Sequence, residues 1–169
     1  MSVRTIPIVL ASLLATGRAA PATAASAPAQ PLSAPQAPSR GDVFRSFVAE
    51  SLDGTSKHID FPKGSSTVLL FFSSGCPVCH RMIPEWNRMF EKHPKSLAVI
   101  GVLMDKEPPG FFMATPIAFP VVRSPGNEFM RLHKVNRVPL TLRVSGGGKV
   151  EDVGLGVLDP IRLGELFRP

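Results

Sequence analysis

A wholly apolar run, Val68 to Phe72, ends in the turn Ser73-Ser74-Gly75, and Cys76-Pro77-Val78-Cys79-His80 follows at once. These five residues hold the only two cysteines of the chain. An unbroken apolar run of this kind suits a strand buried on both faces of a sheet. Beyond it, Val78, Met82, Trp86, Met89 and Phe90 recur at helical spacing, so Pro77 to Glu91 reads as a helix. The two thiols therefore stand where a buried strand passes into the first turn of a helix. A pair spaced by two residues there can close a small disulfide and reopen it.

The rest of the chain extends this strand–helix unit. Phe47 to Phe61 carries Asp53-Gly54 between two short segments, a hairpin signal. Leu97 to Met104 reads as a second buried strand, Phe119 to Val122 as a short one, and Asn127 to Lys134 as a short helix. Asp105 to Ala118 is rich in proline and gives no clear period. Leu140 to Val144 and Lys149 to Val157 flank Gly146-Gly147-Gly148 as an antiparallel hairpin. Asp159-Pro160 supplies an N-cap and a first-turn proline for a last helix, Ile161 to Phe167. Strands and helices in this order predict an α/β fold with a central mixed sheet flanked by helices and an N-terminal β-hairpin.

Charge and composition divide the chain. All thirteen acidic residues lie after position 40, against sixteen basic ones there, a net +3 for residues 41–169. The basic residues are scattered and not interleaved with aromatics, which gives no nucleic-acid footprint. Arg4, the apolar stretch Ile6 to Thr16 and the small residues Ala22-Thr23-Ala24 predict a signal peptide over 1–24. The Ala/Pro/Ser-rich stretch over 25–40 predicts a linker, and 41–169 the folded domain. The apolar stretch near the start is too short for a membrane span, and no later run is long enough for one. A periplasmic or secreted location permits a cysteine pair to be oxidised.

The chemistry of the pair follows from its place. The thiolate is the nucleophile, and free N–H groups at a helix N-terminus favour negative charge. Cys76 takes that place. Cys79 lies one turn further on, within reach to resolve a mixed disulfide. Pro77 removes a backbone donor where no intrahelical partner exists. Pro84, inside the helical pattern, predicts a kinked helix because the apolar spacing continues through Phe90.

Val68-Leu69-Leu70-Phe71-Phe72, Cys76-Pro77-Val78-Cys79, Pro84, Phe119-Pro120, Val138-Pro139-Leu140-Thr141 and Gly148-Lys149-Val150 with Gly154 and Gly156 together resemble the thioredoxin-like superfamily. Within it, the resemblance is to exported TlpA/ResA/DsbE-type and MauD-like proteins, and it covers about residues 43–168. It implies a thioredoxin-like fold and a thiol–disulfide oxidoreductase with Cys76 as attacking and Cys79 as resolving residue. It further implies that Pro139 is cis and that the Val138 backbone pairs with an extended client segment. No cofactor is implied. The implied partners are a cysteine-containing client protein and a redox partner that recycles the CxxC. Maturation of a cytochrome c or of a periplasmic dehydrogenase is one such setting. Two departures stand out. Gly75 takes the place of the tryptophan usual before the first cysteine, and the positions where relatives keep a buried carboxylate hold Leu70 and Met82. Glu85 is expected to face solvent.

Three other readings use the same residues. CxxCH is the attachment motif of c-type haem, with His80 as proximal ligand and Met82, Met89, Met104, Met113 or Met130 opposite. Small haem-c domains are helical, whereas this motif abuts a buried strand. A copper site would take Cys76, Cys79 and a histidine such as His133, although copper carriers of this fold space their cysteines by three residues. His133 is expected on the surface of its short helix. A purely structural disulfide gains little, because closing a two-residue loop removes little chain entropy.

Overall fold

The computed structural model describes residues 37–93 and 95–168. The signal peptide expected over 1–24 lies outside the described residues, as does the linker expected over 25–40 up to position 36. The first two strands, β1 (Phe47–Glu50) and β2 (Ser56–Ile59), pair antiparallel. Their turn is held by Asp53, whose carboxylate accepts from the N–H and hydroxyl of Thr55. This is the hairpin that Asp53-Gly54 signals, and it forms a two-stranded sheet of its own.

The main sheet is built from β3 (Ser66–Phe72), β4 (Leu97–Leu103), β5 (Val121–Arg123), β6 (Leu140–Ser145) and β7 (Val150–Leu155). Its spatial order is β5-β4-β3-β6-β7. β4 runs parallel to both β3 and β5, while β6 runs antiparallel to both β3 and β7. The sheet is therefore mixed. The helices are α1 (Pro77–Lys92), α2 (Phe111–Ala114), α3 (Asn127–Leu132) and α4 (Pro160–Phe167).

Central strand β3 explains the apolar run. Val68, Leu70 and Phe72 face a core that holds Met82, Ile83 and Trp86 of α1 and Leu163, Leu166 and Phe167 of α4. Leu69 and Phe71 face the other core, with Phe44, Phe47, Ile59, Phe61 and Met130. A strand covered by α1 and α4 on one face and by the hairpin and α3 on the other has no polar side, so alternation is lost and Val68 to Phe72 are all apolar. The indole N–H of Trp86 donates to the Thr141 hydroxyl at 3.1 Å, which satisfies its one polar atom inside the core.

α1 does not end at Ile83. It runs through Pro84 to Lys92, with Pro84 on its exposed side. At the β6–β7 turn Gly148 has φ +87° and lies against Phe44, where a Cβ would stand 2.1 Å from the Phe44 carbonyl oxygen. Only glycine fits both constraints. α4 is capped by Asp159, whose carboxylate accepts from the Arg162 N–H at 2.8 Å.

Three expectations need correcting. Strand β5 begins at Val121, two residues later than the apolar run suggests, because Phe119 points into the core against Gly101. The stretch 105–118 contains the short helix α2, which starts at left-handed Gly110 and is pinned by buried Phe111. His133 is not a surface residue. It is buried at the end of α3 and stacks on Phe44, with ring centroids 4.1 Å apart.

Candidate active site

The site begins at the end of β3. Parallel pairing aligns Phe72 with Leu103, and the Met104 N–H donates to the Phe72 carbonyl at 2.8 Å. The chain then turns through Ser73-Ser74-Gly75, and the Cys76 N–H donates back to the Ser73 carbonyl at 3.2 Å. Cys76 is the N-cap of α1. Its Sγ accepts from the Cys79 backbone N–H at 3.2 Å, one of the donors that a helix N-terminus leaves free. Pro77 occupies the first helical position, where a missing N–H costs nothing.

The two sulfurs have different surroundings. Both cysteines are free thiols; Cys76 is half-buried and Cys79 is fully buried. Burial pushes the Cys79 thiol up to about 12, and the Cys76 side chain beside it and the Asp105 charge push the same way. One sulfur is thus presented to solvent at a helix tip, and the other is held back as a protonated thiol in the neutral pH range. This asymmetry suits an attacking and a resolving role.

His80 and Asp105 hold the turn from two sides. The His80 Nε2 lies 2.7 Å from the Ser74 carbonyl oxygen, so Nε2 carries the proton and donates. The Asp105 carboxylate accepts from the Ser73 hydroxyl at 2.7 Å, the Ser74 N–H and hydroxyl at 2.8 Å each, and the Gly75 N–H at 3.4 Å. Burial alone would raise the Asp105 carboxyl, but these donors bring it below its ordinary value. Asp105 is a functional residue that hydrophobic periodicity does not reveal. Its signal was an acid placed just after a buried strand, at the carboxyl end of a parallel pair, where α/β folds gather functional groups.

The other expected residues are also accounted for. The Val138–Pro139 peptide bond is cis. Val138 is half-buried and packs against the core that contains Cys79, as Cys76 does. Pro139 is buried, and its carbonyl accepts from the Gly156 N–H at 2.9 Å. Leu70 and Met82 are fully buried and apolar, and the Met82 sulfur accepts from the Leu158 N–H at 3.4 Å. Glu85 is half-buried and pairs with Arg88 on its own helix, away from any proton-moving position. His133 belongs with the core on the opposite face of the sheet from Cys79, so the copper set of Cys76, Cys79 and His133 does not converge. Among the described residues no three His, Cys, Asp or Glu side chains come together as a metal site.

Comparison with known proteins bears on the family and the fold. A family model described as the AhpC/TSA family matches residues 40–152. The chain is 26% identical over 127 residues to sporulation thiol-disulfide oxidoreductase A of Bacillus subtilis, covering 70% of this chain and 76% of that one. It is 23% identical over 120 residues to thiol-disulfide oxidoreductase ResA of Halalkalibacterium halodurans, covering 69% of this chain and 68% of that one. The crystal structure of StoA from Bacillus subtilis superposes with a TM-score of 0.61 at 23% identity, covering 72% of this chain and 95% of that one. A thioredoxin-family thiol:disulfide interchange protein from Chlorobium tepidum superposes with a TM-score of 0.63 at 19% identity, covering 78% and 97%. These solved structures speak for the fold, and the thioredoxin-like arrangement read from the sequence is the one observed.

Proposed function

The chain belongs to the AhpC/TSA family, and we propose that it is a protein thiol–disulfide oxidoreductase in which Cys76 attacks and Cys79 resolves. The observation that carries this reading is the pairing of a half-exposed N-cap sulfur with a buried thiol one turn behind it. The names of its relatives point the same way. In the reducing direction the Cys76 thiolate attacks one sulfur of a client disulfide, and the other client sulfur leaves with the electron pair and takes up a proton. Cys79 then loses its proton to water and attacks the Cys76 sulfur. The client's second sulfur departs, and the Cys76–Cys79 disulfide remains. Two electrons pass to the client, and a second redox partner restores the dithiol. Run in reverse, the same steps oxidise a client.

In this reading Val138 and Pro139 receive the extended client segment beside Cys76. The packing of Val138 on the Cys79 core supports that role. In the same reading 1–24 is a signal peptide and 25–40 a linker, so the domain works outside the cytosol, where a client such as a c-type cytochrome or a periplasmic dehydrogenase with several cysteines is available. The test is a pair of variants. Cys76→Ser should abolish insulin-disulfide reduction, and Cys79→Ser should accumulate a mixed disulfide with a client peptide. Full activity in both variants would exclude the mechanism.

A further inference from the structure

Position 105 has no part in the exchange steps, yet its side chain makes more hydrogen bonds to the cysteine turn than any other described here. The strand register explains how it arrives. Phe72 pairs with Leu103, so two residues further along Asp105 stands opposite Ser74. Four donors from three consecutive residues, Ser73, Ser74 and Gly75, close on its two oxygens. Those three residues lead directly into Cys76. Leu70 and Met82, buried near the pair, are apolar, and Asp105, just past the end of β4, supplies the negative charge at this turn.

We propose that Asp105 is a positioning residue for the exchange reaction: its carboxylate clasps the Ser73-Ser74-Gly75 turn that presents Cys76 and sets a fixed negative charge beside the cysteine pair. The proposal rests on the exchange reading above. The carboxylate is held ionised by its donors, so it acts as a permanent charge and not as the base that takes the Cys79 proton. That charge reaches the Cys79 sulfur and disfavours its thiolate. The turn leads into the Cys76 thiol and is bonded through Ser74 to the His80 ring, while Lys106 and Glu107, the latter paired with Arg123, follow Asp105 in the chain. Asp105 is the one that touches the turn as an anion. Burial is the main restraint on the Cys79 thiolate and the Asp105 charge adds to it, so the mixed disulfide resolves more slowly than it would without that charge.

The test uses Asp105→Asn and Asp105→Ala in the full chain, with thionitrobenzoate as a coloured reporter. The Cys76 thiolate attacks the disulfide of Ellman's reagent, a first thionitrobenzoate leaves and Cys76 is capped as a mixed disulfide; the release timed is that of the second equivalent. Cys79 then loses its proton to water and attacks the Cys76 sulfur, the Cys76–thionitrobenzoate bond breaks, and the reporter leaves as the coloured thiolate. Asparagine keeps the shape and an acceptor oxygen but not the charge. The Asn variant should release the reporter about threefold faster than the parent at the same pH, since more thiolate forms and its lower basicity offsets only part of the gain. The Ala variant loses the clasp as well and should fall below the Asn variant. A purely structural role would slow both variants, so an Asn variant no faster than the parent overturns the proposal. A parent chain that forms no Cys76–Cys79 disulfide would instead sink the exchange reading, and this proposal with it.

Discussion

The backbone N–H of Cys79 donates to the sulfur of Cys76 at 3.2 Å, so each cysteine defines the environment of the other. The contact offers Cys76 a donor at a helix tip, while burial and the Cys76 side chain raise the Cys79 thiol to about 12. At pH 8 a thiol with that value is ionised to roughly one part in ten thousand. Alkylation of the dithiol form with iodoacetamide at pH 8 should therefore stop at one adduct, on Cys76. Cys79 should react only after denaturation. Peptide mass mapping reads the outcome, and equal labelling of both positions in the native protein would contradict the asymmetry.

The same asymmetry bears on the direction of electron flow. A strong oxidant owes its high potential to a stabilised reduced form. Cys79 contributes none, since its surroundings hold it as a protonated thiol, and any such stabilisation would have to come through Cys76 and the backbone donor on its sulfur. The Cys76/Cys79 couple should have a potential below about −200 mV, nearer to thioredoxin at about −270 mV than to the oxidant DsbA at about −120 mV. Equilibration in graded thiol–disulfide buffers, read by gel shift, measures it. A value near that of DsbA would place the protein among oxidants.

Local pattern carried much of this molecule. The two-sided burial of Val68 to Phe72, the helix start at Cys76 and the Asp53-Gly54 and Gly146-Gly147-Gly148 turns all depend on residues close together in sequence, and all were legible. Contacts between distant segments were not. Asp105 meets Ser74 only because two parallel strands fix its register, and no periodicity encodes that pairing. His133 looks like a surface residue on a short helix until Phe44, from a segment 89 positions away in number, closes over its ring. The insert after Asp105 was opaque because α2 is four residues long and begins at a left-handed glycine. A helix that short has no period to detect.

Asp152 joins the last strand to both ends of the domain. Its carboxylate accepts from Arg162 at 2.6 and 2.7 Å and from Arg40 at 2.7 and 3.0 Å. These guanidinium groups, Arg162 above all, hold its carboxyl well below the ordinary range despite burial. Asp152→Asn should lower stability by about 2 kcal/mol at pH 7, the scale of lost charged hydrogen bonds at a largely buried acid. Arg40 is 69% exposed, so Arg40→Ala should cost under about 1 kcal/mol. Because the folded value is depressed, the stabilisation is present above the unfolded value of 3.8 and fades as pH falls below it. Urea denaturation at pH 7 and pH 3 should show the parent and the Asn variant converging at the lower pH. A gap that stayed constant would mean that Asp152 acts through shape and not charge.

His133 makes a second, higher stretch of the acid range informative. Its ring is stacked on Phe44 and flanked by Phe129, and burial, with help from the Arg45 charge, lowers its affinity for a proton below the ordinary value of 6.5. In the unfolded chain the ring is free to take that proton. Between about 6.5 and the lower folded value the unfolded state binds more protons, so stability is full above that window and is lost as pH falls through it. The slope contributed by one such group cannot exceed about 1.4 kcal/mol per pH unit. His133→Phe keeps an aromatic ring against Phe44 and removes the titration. Urea midpoints of parent and variant should therefore diverge between pH 7 and pH 5, with the parent losing more stability. Parallel decline of the two would show that His133 is not protonated differently in the folded and unfolded chains.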